Sequence, residues 1–162
     1  MLQIPSPTEH RPNLGDMNSI VCFKACVRGL EEALGTRAAM VSLRTAGRAR
    51  GRGLVEELGL KGSQTDPVDA CGPLATALGP EGTRLCTVVA IRKIDDETYE
   101  VDTSETICSC MEEPGSKTEL SFTFGALQGA LESLLGVKLQ GKQVASVLRG
   151  GEYDTVRFTI FS

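Results

Sequence analysis

A chain of 162 residues with 41% apolar and 23% charged side chains has the proportions of one globular domain, long enough to bury a core. Its net charge of −4 argues against bulk nucleic-acid binding, and no apolar run approaches the ~20 residues of a membrane span. The only histidine, His10, leaves a His-centred triad, a two-His zinc site and a histidine base without a candidate, so no catalytic residue, metal or cofactor is expected.

In chain order, residues 1–14 carry Pro5, Pro7 and Pro12 and read as a flexible N-terminal arm, with a single domain over 15–162. A helix capped by Asp16 or Asn18 runs to about Leu34 before Gly35. Ile20, Phe23, Val27, Leu30 and Leu34 form its apolar stripe, and Cys22, Cys26, Gly29 and Ala33 a small-residue face suited to close helix packing or a dimer contact. A second helix spans about Arg37 to Leu58. Met40, Leu43, Gly47, Gly51, Leu54 and Leu58 share one side of it, and the bare Gly47/Gly51 notch implies something lying against it. Around that notch Arg37, Arg44, Arg48, Arg50 and Arg52 read as a solvated face balanced by Glu31, Glu32, Glu56 and Glu57, with Arg44, Arg48 and Arg52 as candidates for contact with an acidic protein partner or anionic surface. A third, shorter helix starts at Asp66-Pro67, bends at Pro73 and stops at Gly79.

The period then changes. Leu85–Ile94 reads as a central strand, Asp95–Glu97 as a solvated turn, and Thr98–Thr103 as a strand with one wet face. Ile107–Cys110 reads as a further extended segment, followed by a loop with a second solvated acid pair, Glu112-Glu113. A helix from about Thr118 to Leu135 carries Gly125 and Gly129 on one face and Phe124, Leu127 and Leu131 in its apolar stripe. Each interior glycine costs about 1 kcal/mol relative to Ala, so the pair needs a packing reason. Strands at 143–149 and 155–161 close the chain around a Gly150-Gly151 turn. The order ααα-ββ(β)-α-ββ is that of an α+β domain, with a twisted antiparallel sheet of four to five strands and about four helices.

Six cysteines without a preceding signal segment fit reduced thiols in a cytoplasmic protein, most of them small core residues. Cys108-Ser109-Cys110 is the one cysteine spacing that suggests a soft metal, and a lone C-x-C falls short of a zinc pattern.

With these elements in place, AGRARGRGLVEEL (46–58) and FGALQGALE (124–132), with the closing strand, Gly-Gly turn and strand, resemble the TRAPP small-subunit family and the related 4-vinyl-reductase, or hydrocarbon-binding, domains over about residues 13–161. The resemblance implies an α+β fold that commonly forms dimers and a non-enzymatic, cytoplasmic role as sensor, carrier or adaptor. It implies a small apolar ligand, hydrocarbon or fatty-acyl, held in an internal channel with Leu43, Leu54, Leu58, Phe124, Leu127 and Leu131 as candidate lining. Gly47, Gly51, Gly125 and Gly129 are its structural glycines. The stretch after the glycine-bearing helix, Lys61–Asp66, has no thiol, so covalent acylation does not carry over; 122–158 has no cysteine, so neither does the zinc site of the aromatic-sensing members. Two alternatives stand beside this reading: a ligand-free protein-interaction scaffold, and an accessory protein or enzyme of tetrapyrrole vinyl reduction, suggested by the family name alone.

Overall fold

The computed structural model describes residues 11–63 and 65–161. The expected N-terminal arm lies outside the described residues as far as residue 10, and 12–16 form turns. Helix α1 (Ile20–Leu34) is capped by Ser19, whose hydroxyl accepts from the Val21 amide at 3.2 Å; Asn18 instead bonds the Ser19 amide, and Asp16 lies outside the cap. Gly35, at φ 80°, ends α1 and opens α2 (Thr36–Glu57). Helix α3 (Cys71–Leu78) starts later than Asp66-Pro67 implied, because the Asp66 carboxylate and carbonyl close a separate turn by accepting from the Val68 and Ala70 amides. That start puts Pro73 in the first helical turn, where no intrahelical N–H is missed.

Strands β1 (Thr87–Lys93), β2 (Thr98–Ser104), β3 (Leu139–Ala145) and β4 (Asp154–Ile160) form one antiparallel sheet in the order β1-β2-β4-β3. Val101 pairs with Ile91 on one side and Val156 on the other, and Tyr99 with Phe158, which builds an apolar face. A bulge between Val88 and Ala90 extrudes Val89 and lets both Val88 and Ile91 face the core. The opposite face carries charge: Arg92 bonds Glu100 at 2.9 Å and pairs with Asp102, while Arg157 bonds Glu100 at 2.6 Å.

Two expected extended segments differ. Ile107–Cys110 forms turns, tied down by the fully buried Asp154, whose carboxylate accepts from the Thr106 hydroxyl at 3.1 Å and the Ser109 hydroxyl at 2.7 Å. The strand expected at 143–149 begins earlier, at Leu139, and gives way after a bulge at Val144 to a 3-10 turn over Val147–Arg149.

Helix α4 (Phe122–Leu135) is buried on almost every side. It starts after Ser121 because the backbone of Leu120 is engaged laterally, its amide by Gln143 and its carbonyl by the Arg44 guanidinium. Phe124 meets Phe158 of the sheet edge to face at 5.5 Å. The other side of α4 meets α2 backbone to backbone. A Cβ on Gly47 would overlap the Phe122 carbonyl oxygen, and one on Gly51 that of Ala126; Cβ atoms on Gly125 and Gly129 would overlap the carbonyl oxygens of Arg44 and Arg48. The four glycines thus permit one close crossing, in which helix meets helix and helix meets sheet in a single core. No helix among the described residues is long and apolar enough to cross a membrane.

Candidate functional site

A cavity of about 540 Å³ lies between α1, α2 and the segment 107–121. Its apolar wall is Phe23 and Val27 of α1, Met40 and Leu43 of α2, and Ile107. The volume falls in the usual range of small-molecule sites, roughly 300–1,000 Å³. Clefts of comparable volume elsewhere, about 580 Å³ at 143–151 and about 620 Å³ around Arg50, Glu57 and Arg84, have more polar linings.

The segment 107–121 is a wall without regular structure, held by side chains. Thr106 and Ser109 hang from Asp154, and the Arg149 guanidinium donates to the Ser116 and Thr118 carbonyls at 2.9 and 3.1 Å. Glu105 and Met111 bracket its first turn with φ of 51° and 61°, conformations that are uncommon for residues with a Cβ. Cys108 sits at the cavity wall, buried, accepting from the Ser121 amide at 3.4 Å and donating its S–H to the Thr123 hydroxyl. Cys86 is buried in the core, where burial, and secondarily Cys108, pushes its thiol up to about 12. Cys22 and Cys26, expected in the core, are exposed on α1.

On the helix side the polar anchor is Lys24, the one buried side chain of α1, at 3% exposure. Its ammonium donates to the Cys108 carbonyl at 3.0 Å and to Glu112 Oε1 at 2.5 Å, and Glu112 Oε2 accepts from the Thr118 hydroxyl at 3.3 Å. Glu112 is therefore an ion-pair partner and not part of a solvated turn. Phe23 adds an edge-on contact with Phe122 at 5.9 Å. The sequence reading missed Lys24 and took Glu112 for a solvated acid. The available signal was that Lys24 falls four residues after Ile20 and three before Val27, on the apolar stripe itself.

The six candidate lining residues do not come together. Leu43 lines the cavity; Leu54 and Leu58 touch the cleft at Arg50 and Glu57; Phe124, Leu127 and Leu131 are packed in the core behind it. The arginine face also differs from expectation. Arg44 lies 3.9 Å over the Phe124 ring and bonds Glu119 at 3.1 Å, while Arg48 and Arg52 both pair with Glu132 of α4. Only Arg50 pairs with one of the expected acids, Glu57, at 2.8 Å. Burial pulls the Arg44 guanidinium below its usual value, against the pull of Glu119. The charges of Arg44, Arg48 and Arg52 are thus engaged within the chain.

No family model matches the sequence, and no curated protein does. Solved structures do match in shape. The phenol-responsive sensory domain of the transcription activator PoxR, with phenol, superposes with a TM-score of 0.69 at 13% identity, covering 90% of this chain and 76% of that one. Subunit 3 of a trafficking protein particle complex from Naegleria fowleri, covalently bound to palmitic acid, superposes with a TM-score of 0.62 at 14% identity, covering 88% and 93%. The chain shares their α+β fold.

Proposed function

We propose that this chain is a non-enzymatic binding domain that holds a small, mainly apolar molecule non-covalently between α1, α2 and the segment 107–121, as a sensor, carrier or adaptor. The observation that carries the reading is the cavity of about 540 Å³ with Phe23, Val27, Met40, Leu43 and Ile107 in its wall. Two neighbours in fold were solved with phenol and with palmitic acid, which fits a scaffold able to take apolar guests. Burying about 200 Å² of apolar ligand surface supplies about 5 kcal/mol before ordering costs. Of the residues first considered as lining, Leu43 belongs to this proposal, and Leu54, Leu58, Phe124, Leu127 and Leu131 lie outside the cavity wall.

Native mass spectrometry of the purified chain, followed by organic extraction, tests the reading. Either a co-purifying small molecule or uptake of an added apolar dye is expected. Protein that arrives empty and takes up no apolar dye contradicts it.

A self-association reading has its own observation. Cys22, Cys26, Gly29 and Ala33 are exposed along α1, and their small size would let a second copy approach closely. We assign this face to a homodimer contact.

A further inference from the structure

The nature of the ligand's polar part turns on Lys24. An ammonium carries three N–H donors, and the protein accepts two of them, at the Cys108 carbonyl and Glu112 Oε1. Among the described residues the third has no acceptor, on a side chain 3% exposed at the cavity wall. A charged donor removed from bulk water is stabilised by completing its bonds, so an oxygen on the cavity's occupant is favoured there.

Glu112 narrows the choice of oxygen. Its carboxylate already neutralises Lys24, so a second carboxylate at the ammonium would sit a few ångströms from like charge in a poorly solvated place. The other charged groups around the cavity, Arg37 and Lys117 against Glu31 and Glu119, balance in sign. Arg37, Lys117 and Glu119 are exposed, so solvent screens them. An uncharged hydroxyl satisfies both neighbours: its oxygen accepts from Lys24, and its O–H donates to Glu112, whose two oxygens have lone pairs to spare. Resting on the cavity reading above, we propose that the occupant is an uncharged hydroxyl compound with an apolar body, its hydroxyl seated between Lys24 and Glu112, and that this pair disfavours carboxylates of the same body.

The test uses the full chain loaded with diphenylhexatriene, a fluorescent hydrocarbon with no polar atom, displaced at neutral pH by octanol or by octanoate. Any apolar cavity favours the alcohol over the acid, so the deciding readout is how that preference changes in variants. In Glu112→Gln, octanoate is expected to bind roughly tenfold more tightly while octanol changes less than about threefold. In Lys24→Met, octanol is expected to weaken by roughly tenfold relative to the hydrocarbon dye. An unchanged octanol-to-octanoate ratio in Glu112→Gln, or octanol following the dye in Lys24→Met, overturns the hydroxyl assignment and leaves the cavity reading standing. Wild-type protein that takes up neither dye nor octanol overturns both.

Discussion

Almost out of contact with solvent, the Glu132 carboxylate receives hydrogen bonds from three elements. Arg48 and Arg52 reach it from α2, Gln128 from its own helix, and the Leu139 amide from the start of β3 at 2.9 Å. Burial alone would push this carboxyl up; the bonds from Arg48, Leu139 and Arg52 outweigh it and hold it below the ordinary 4.5. A carboxyl lowered on folding contributes stability that is present above pH 4.5 and lost as the pH falls through its folded value. Glu132→Gln is therefore expected to destabilise the protein at neutral pH by about 2 kcal/mol, below the roughly 3–5 kcal/mol of a fully buried pair because both arginines reach solvent. Urea titrations read that difference, and the gap between variant and wild type should narrow below pH 4.5. A gap that stays constant into acid would show that Glu132 acts through shape and not charge. Little of this was legible in the sequence. Glu132 reads there as the polar end of FGALQGALE, and only the α2–α4 crossing brings Arg48 and Arg52 to it.

At the scale of elements, helix propensity and packing make opposite forecasts for the same substitution. Glycine to alanine inside a helix gains up to about 1 kcal/mol from propensity. At Gly53, inside α2, a methyl group would meet nothing nearer than the end of the Arg50 side chain at 3.6 Å, so Gly53→Ala is expected to stabilise by about that amount. At Gly51 the added carbon overlaps the Ala126 carbonyl and stands 2.8 Å from the Ala130 nitrogen, so Gly51→Ala forces α2 and α4 apart and should cost several times what propensity gives, on the order of 3 kcal/mol. Thermal unfolding of the two variants side by side checks the sign difference; a stabilised Gly51→Ala would contradict the crossing. These glycines were the most readable part of the fold, because two helices each carrying an i, i+4 pair of costly residues signal a shared contact. The extended reading of Ile107–Cys110 failed for a reason equally physical. Its alternation of side chains suits a strand, but Asp154, more than forty residues away, takes the hydroxyls of Thr106 and Ser109 and folds the segment into turns.

The whole molecule is asymmetric in how firmly it is held. α2, α4 and the sheet share one core, whereas α1 commits a single buried side chain, Lys24, and leaves its small-residue face to solvent. If that face joins two copies, Cys26→Glu and Ala33→Glu should shift the protein to monomer in light scattering after size exclusion, with the far-UV spectrum unchanged. A monomeric wild type would remove the dimer contact from the account. The same asymmetry creates the cavity. The sequence announced apolar stripes but not which of them meet: Leu43 came to line open space while Phe124, Leu127 and Leu131 closed on the sheet, because the course of 107–121 is set by distant hydrogen bonds. Binding of diphenylhexatriene to wild type and to Met40→Trp tests the central claim most directly, since the larger ring at residue 40 occupies the space between α1 and α2. The account expects saturable uptake by wild type and a loss of at least about tenfold in affinity in the variant at unchanged melting temperature. Equal uptake by both proteins would place the ligand elsewhere and contradict it.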